Sequence, residues 1–158
     1  MTRAAMLPNL AAFGDTVAFS EIGPALLAES DDGYNVEVGS TAKTPVLFNS
    51  YAQHPDVLNK KMDSTAAGRY QFIYRTWMLA ADALCLADFS PLNQDRAFVW
   101  LLQECGAYQA LIVGDFDTAL RKASTQWASL PYSTAGQPIH TAADLLAVYQ
   151  RAGGTIKG

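Results

Sequence analysis

One stretch of the chain, residues 29–51, departs from the helical periodicity found elsewhere and sets the class of fold. After an Asp-Gly turn signal, Tyr34, Val36 and Val38 alternate with polar residues, which is typical of a half-exposed strand. The sequence "TPVLFNSY" at 44–51 offers a less regular partner strand. We therefore expect one small β-hairpin, inserted after a first helix.

The rest of the chain carries apolar residues at helical spacing. Six helices are predicted, at about residues 9–21, 68–86, 91–105, 107–113, 116–127 and 142–152. Pro91 suits a first helical turn after an N-cap Ser90, and Thr141 with Asp144 resembles a capping box. With no repeat and no linker, residues 1–158 are predicted to form a single α+β domain that is mostly helical.

Composition excludes several classes of protein. The chain has 158 residues, of which half are hydrophobic and 16% charged, so it is long enough for a real core and is not a disordered chain. The net charge of −4 comes with no basic stripe, which argues against a nucleic-acid partner. No apolar run reaches the length of a membrane span, so we expect no membrane insertion.

Sequence motifs for common kinds of chemistry are missing. The chain has no P-loop, no HExxH, no CxxC and no GxSxG. Because only two histidines occur, a histidine metal cluster is not expected. We predict neither a metal site nor a cofactor.

Glu21 is the candidate proton donor. It ends an otherwise apolar helix, between Phe19 and Ile22, and a helix C-terminus carries partial negative charge. Burial and this dipole both disfavour the carboxylate, so both would raise the pKa, which suits a general acid near neutral pH. On the pattern alone, a solvated glutamate without a chemical role is the more common case.

The sequence "DSTAAGRYQF", residues 63–72, is a second candidate site. It places Arg69, Tyr70 and Gln71 at the predicted start of the second helix. Hydrogen-bond donors, an aromatic face and an amide are the groups that bind sugars. The alternative is structural: a capping Ser64 or Thr65, an exposed arginine and a core tyrosine.

The chain resembles the lambda-type endolysin family, the phage lambda lysozymes, through short sequences that keep their order along about 130 residues. They are "FSE" at 19–21, "GYNVEVG" at 33–39, "HP" at 54–55, "STAAGRYQ" at 64–71, "DFSP" at 88–91, "QD" at 94–95, "WASLP" at 127–131 and "AGG" at 152–154. Chance matches would not keep both order and approximate spacing.

The resemblance implies a lysozyme-like fold, with a groove between a helical lobe and a small β-containing lobe. It implies a lytic transglycosylase, which cleaves the β-1,4 bond between N-acetylmuramic acid and N-acetylglucosamine and leaves a 1,6-anhydromuramoyl end. Glu21 matches the single catalytic glutamate of the family. The residues expected to bind substrate are Gln71, Tyr70, Arg69, Ser64, Tyr34 and Tyr132.

Two other functions stay open. A hydrolytic muramidase would need a second carboxylate beside Glu21; Asp31, Asp32 and Glu37 are the candidates, and Asn35 stands where the family pattern has an aspartate. A non-catalytic glycan-binding phage structural protein would keep the fold without needing the glutamate.

The expected partner is the glycan strand of peptidoglycan, and the protein is expected to act as a monomer. The first residues make a poor signal peptide. We therefore expect the protein to accumulate in the host cytoplasm and to reach periplasmic peptidoglycan only after a holin permeabilises the membrane, as the resemblance implies.

Overall fold

A computed structural model describes residues 5–136 and 138–158, and this part of the chain contains seven helices and little strand. The helices are α1 (Pro8–Glu21), α2 (Pro24–Glu29), α3 (Tyr74–Leu84), α4 (Pro91–Glu104), α5 (Ala107–Ile112), α6 (Phe116–Ala123) and α7 (Ala142–Arg151). None of these helices has the length and apolar character that a membrane span requires.

The described residues form two units. The first unit spans Ile22–Ala97, and the second combines the described parts of Arg3–Glu21 and Phe98–Gly158. The boundary falls inside α4, so this helix supplies residues to both units. The prediction of one catalytic domain over residues 1–158 stays a prediction.

The second unit is a helical cluster in which α1 contacts α5 and α7. Its core contains the rings of Phe13, Phe116 and Tyr149, whose centroids lie 4.8 to 6.5 Å apart in tilted and edge-on arrangements. Asn9, in the first turn of α1, donates to Leu111 O at 2.9 Å and accepts the Thr155 N–H at 2.9 Å. These contacts fix α1 and therefore the position of its last residue, Glu21.

The helix predictions are largely confirmed for α1, α4, α5, α6 and α7. Thr141 and Asp144 form the predicted capping box at the start of α7, and the Asp115 side chain caps α6 by accepting the Thr118 N–H. The α6 prediction is too long, since this helix ends at Ala123 and the buried Trp127 lies beyond it. The short α2 was not predicted, because Pro24, which follows the end of α1, also occupies the first turn of α2.

The predicted β-hairpin is only partly correct. Val36 pairs with Leu47 in an isolated antiparallel bridge, so the two predicted segments do meet. Glu37 pairs instead with Ala67, and no ladder among the described residues is long enough to be a strand. The first unit therefore combines scattered backbone hydrogen bonds, such as that from Val38 N–H to Ala66 O, with side-chain hydrogen bonds.

The predicted start of the second helix near Gly68 is wrong. Gly68 and Gln71 have φ values of 81° and 49°, which an α-helix does not permit, and Ala67 pairs with Phe72 in a tight antiparallel turn. Helix α3 begins only at Tyr74, whose N–H donates to Thr65 Oγ1 at 3.0 Å. Thr65 therefore accepts a hydrogen bond from the N–H of the first residue of α3, although it lies nine residues before that helix begins.

Gln94 and Asp95, near the start of α4, hold the turn at residues 67–72 in place from inside the protein. Gln94 accepts the Arg69 N–H at 3.0 Å and donates to Tyr34 O and Phe89 O at 3.0 and 2.9 Å. The Asp95 carboxyl accepts both tyrosine hydroxyls, from Tyr34 at 2.8 Å and from Tyr70 at 2.7 Å. Both anchor residues are buried, so the loop segments of the first unit converge on one polar core.

We predict that Gly68→Ala lowers the free energy of unfolding by about 2–4 kcal/mol, as measured by denaturant unfolding. An added Cβ would lie against Gln94 Oε1 and 2.9 Å from the Phe89 ring, at a backbone angle that L-residues rarely adopt. Gly153→Ala is the control: its φ is also positive, at 96°, but nothing lies within 4 Å, so about 1 kcal/mol is expected. Equal losses in both variants would contradict a tightly packed turn.

Candidate active site

Glu21 is the last residue of α1, and the sequence that follows it explains why the helix ends there. Gly23 has a φ of 87°, and Pro24 begins α2 without an N–H to donate. The helix therefore stops with the Glu21 carboxyl at its C-terminal end, as the sequence predicts.

Two serines form a short hydrogen-bond chain that ends on the Glu21 carboxyl. The Ser129 hydroxyl donates to Glu21 Oε1 at 2.9 Å, and the Ser129 and Ser20 hydroxyl oxygens lie 2.9 Å apart. Ser20 is buried on α1, and Ser129 lies in the segment that follows α6. One carboxyl oxygen of Glu21 is therefore held in place by a neutral donor.

The Glu21 carboxyl has a strongly perturbed pKa. Burial raises it from 4.5 to about 7, while hydrogen bonds from the Ser129 hydroxyl and backbone N–H act in the opposite direction. At neutral pH the acid and the carboxylate are therefore both populated. A carboxyl group with this property can donate a proton in one step and accept one in the next.

Ser129 is the functional residue that the prediction missed. The sequence did mark the segment that contains Ser129, because this serine is the central residue of "WASLP" at 127–131, one of the family sequences. Nothing in the sequence indicates which residue of that segment reaches Glu21, since 107 residues separate the two.

The structure contradicts direct sugar stacking by Tyr70 and Tyr34. Tyr70 is 0% and Tyr34 8% exposed, and both hydroxyls donate to Asp95. A ring without accessible surface offers no face to a sugar, so these two tyrosines hold the turn in place.

Arg69 is likewise structural, in contrast to its predicted role. The side chain is 2% exposed and forms an ion pair with Asp32 at 2.7 Å, with a further hydrogen bond to Asp32 O. Its guanidinium lies 5.5 Å from the Tyr34 ring centroid and 5.9 Å from that of Tyr70. The three residues thus come together inside the first unit, where both tyrosines bind Asp95 and Arg69 binds Asp32.

Gln71 and Ser64 keep part of their surface exposed, so their substrate-binding role stays a prediction. The Gln71 amide nitrogen donates to Gly68 O at 2.9 Å and to Val36 O at 3.3 Å, which leaves its Oε1 as an acceptor of fixed orientation. Ser64 Oγ accepts the Ala66 N–H at 3.1 Å and lies in the loop before the turn.

Tyr132 lies in the second unit, in a surface cluster with two residues of α6. Its hydroxyl donates to Asp117 at 2.8 Å, and the guanidinium of Arg121 lies 3.9 Å from the ring centroid. One face of the ring is therefore covered by Arg121, and the predicted contact with substrate stays a prediction for the other face.

Comparison with known proteins identifies the family. The endolysin family matches residues 11–156. The chain belongs to the endolysin family. It is 37% identical to the endolysin of Escherichia phage P2, over 92% of this chain and 93% of that protein, and 39% identical to the endolysin of Escherichia phage lambda, over 92% of both.

Solved structures confirm the lysozyme-like fold of this endolysin. Lysozyme from bacteriophage lambda complexed with a chitohexasaccharide matches with a TM-score of 0.84 and 38% identity, over 96% of this chain and 98% of the other. A second structure of the lambda lysozyme matches with a TM-score of 0.82 and 36% identity, over the same shares of the two chains. The endolysin is thus a cell-wall-lytic enzyme.

Of the three candidate second carboxylates of the endolysin, two are engaged within the first unit. Asp32 pairs with Arg69, and Asp31 accepts a hydrogen bond from the Tyr51 hydroxyl at 2.5 Å. Glu37 is half-buried, and its backbone takes part in the Ala67 bridge.

His54 fixes a loop of the first unit. Its Nδ1 accepts the Asp56 N–H at 3.0 Å, so Nε2 carries the proton and donates to Phe72 O at 2.7 Å. Burial lowers the pKa of the ring, which favours this neutral form.

The raised pKa of Glu21 makes the stability of the endolysin depend on pH. The buried carboxyl binds its proton more tightly in the folded state, so stability is complete below pH 4.5 and is lost as the pH rises through about 7. Glu21→Gln stays neutral and keeps an acceptor for Ser129. We expect this variant to gain up to about 3 kcal/mol over wild type between pH 4 and pH 8.

The measurement is the free energy of unfolding of both proteins at the two pH values. Glu29→Gln is the matched control, because Glu29 is also the last residue of a helix but is exposed. A difference between Glu21→Gln and wild type that is the same at pH 4 and pH 8 would show that Glu21 is ordinarily hydrated.

Proposed function

We propose that this endolysin is a lytic transglycosylase. It cleaves the β-1,4 bond between N-acetylmuramic acid and N-acetylglucosamine in peptidoglycan and leaves a 1,6-anhydromuramoyl end. The observation that carries the proposal is the Glu21 carboxyl, whose burial raises the pKa to about 7. Such a group serves as acid and base at the same pH.

In the first step, the Glu21 carboxylic acid protonates the bridging oxygen while the bond from that oxygen to the muramoyl C1 breaks. The N-acetylglucosamine side leaves with a free 4-hydroxyl, and positive charge develops at C1. Glu21 is now a carboxylate, which stabilises that charge and accepts hydrogen bonds from the Ser129 hydroxyl and N–H.

In the second step, the muramoyl O6 attacks C1 and closes the 1,6-anhydro ring. The Glu21 carboxylate takes the proton from the 6-hydroxyl as this bond forms. The carboxylic acid is regenerated, one glycosidic bond has been exchanged for another, and no water is consumed. A single carboxyl group therefore completes the cycle.

The state of the other acidic residues supports a mechanism with one carboxylate. A hydrolase of the usual kinds needs a second free carboxylate as nucleophile or base. Asp32 is paired with Arg69, Asp31 is hydrogen-bonded to Tyr51, and position 35 is an asparagine. Glu37 is the remaining candidate for a second carboxylate. A hydrolytic muramidase is the alternative that product analysis separates from this proposal.

Glycan binding is proposed from the same similarity. The lambda lysozyme that this chain resembles was solved with a chitohexasaccharide, a chain of linked N-acetylglucosamine units. Gln71 is the strongest candidate for a contact in this endolysin, because its Oε1 acceptor is held in a fixed direction. Action as a monomer, accumulation in the host cytoplasm and dependence on a holin are further parts of the proposal.

We predict that Glu21→Gln lowers the rate of cell-wall lysis by at least about 100-fold, because general acid catalysis contributes 10²–10⁴-fold. The assay is the loss of turbidity of purified peptidoglycan. Glu29→Gln, the exposed helix-end control, should lyse at the wild-type rate. Lysis by Glu21→Gln at the wild-type rate would remove the glutamate from the mechanism.

We also predict that the fragments released by the wild-type enzyme carry 1,6-anhydro ends, which mass spectrometry distinguishes from reducing ends by the mass of one water. Asp31→Asn and Glu37→Gln should release the same products at similar rates. Reducing ends, together with a loss of activity in either variant, would establish the hydrolytic muramidase instead.

A further inference from the structure

The serine pair beside Glu21 has a defined direction. Ser129 has one hydroxyl hydrogen, which it donates to Glu21 Oε1 at 2.9 Å. The Ser129 oxygen can then accept the Ser20 hydroxyl, also at 2.9 Å. The order Ser20 to Ser129 to Glu21 uses each hydroxyl hydrogen once, in a bond of good length.

The opposite order is less favourable. If Glu21 carried its proton on Oε1, that proton would point at the Ser129 oxygen, and the Ser129 hydrogen would have to turn toward Ser20. Ser20 would then keep only the Ser129 carbonyl oxygen as acceptor, at 3.4 Å, which is a long contact for a hydroxyl donor. Because Ser20 is buried, the loss of a good partner is costly.

We propose that Ser129, oriented by Ser20, is a positioning residue that keeps Glu21 Oε1 as an acceptor and so directs the transferable proton to Oε2. This inference rests on the proposed role of Glu21 as proton donor. The serines touch neither substrate nor reacting atoms in this scheme, and they act through the glutamate. The pair therefore sets both the pKa and the direction of proton transfer.

The other titratable groups on or beside the elements that carry Glu21 and Ser129 are not among the causes of the raised Glu21 pKa. Asp15 lies on α1, the His140 ring packs on Phe19 at 4.9 Å, and Tyr132, three residues after Ser129, is bonded to Asp117. The contributions to the Glu21 pKa come from burial and from Ser129. Within that unit, the Ser129 hydroxyl is thus the interaction that a substitution can remove.

The decisive variant is Ser129→Ala, which removes the hydroxyl but keeps the backbone N–H. Since the hydroxyl favours the carboxylate, its loss raises the Glu21 pKa, by about one pH unit for a hydrogen bond to a charged group. A general acid works when protonated, so the fall of kcat/KM on the alkaline side should move up by the same amount. With the proton no longer directed, kcat should fall about 10-fold while KM is unchanged.

Two further variants separate positioning from simple packing. Ser129→Thr keeps the hydroxyl and should restore the wild-type pH profile, and Ser20→Ala should shift the profile in the same direction as Ser129→Ala but by less. The pKa is read directly by NMR titration of the Glu21 carboxyl carbon, assigned by its absence in Glu21→Gln. This titration needs no activity and no substrate.

An unchanged Glu21 titration and pH profile in folded Ser129→Ala would overturn the inference, as would equal losses of kcat in Ser129→Ala and Ser129→Thr. Either result leaves the proposed function intact if Glu21→Gln is inactive. If Glu21→Gln is active, the proposed function fails, and the positioning role fails with it.

Discussion

The first unit of this endolysin depends on two buried polar side chains, Gln94 and Asp95. Its loop segments form only isolated backbone bridges, and side-chain hydrogen bonds add to the scattered backbone ones that hold them together. Gln94 supplies one acceptor and two donors to three backbone positions, and Asp95 accepts two tyrosine hydroxyls. Hydrogen bonds of this kind contribute about 1 kcal/mol each, and more to a charged group, but leaving one unmade inside the protein costs more.

At Glu21, in contrast, burial disfavours the charged form of the carboxyl and so makes its chemistry possible. Within the part of the chain that the structure describes, no cation is paired with this carboxyl, and its hydrogen bonds come from neutral donors of Ser129. A neighbouring cation would favour the carboxylate form, lower the pKa and make the group a poor acid. Partial compensation by a serine leaves the pKa near neutrality, where both protonation states are accessible.

Features governed by local sequence could be predicted, and those governed by long-range contacts could not. The end of α1 at Glu21 and the N-caps of α6 and α7 follow from neighbouring residues, and these were predicted correctly. Gly68 and Gln71 break the helical pattern through their backbone conformation, which Gln94 and Asp95 impose from α4. The pattern of residue types around the turn does not identify such a distant partner.

The same limit applied to the candidate site. The apolar helix end made a raised pKa of Glu21 a hypothesis, but on the pattern alone a solvated glutamate was the more common case. The resemblance to the endolysin family favoured the proton donor. The roles of Arg69 and Tyr70 were not predictable, since the groups that bind a sugar are also the groups that satisfy a buried carboxyl or carbonyl. Only their partners, Asp32 and Asp95, distinguish the two roles.

The turn at residues 67–72 shows how structural and binding roles are divided within one motif. Gly68 allows the backbone to turn, and Arg69 and Tyr70 fasten it to Asp32 and Asp95. Gln71 is then forced into a left-handed conformation, with its amide nitrogen bound to backbone carbonyls. Because the other residues of the turn hold Gln71, the orientation of its amide oxygen is already fixed in this structure, which would lower the entropy cost of binding a ligand there. Of the three residues of this turn predicted to bind sugar, two therefore have structural partners, and only Gln71 keeps a substrate-binding role as a prediction.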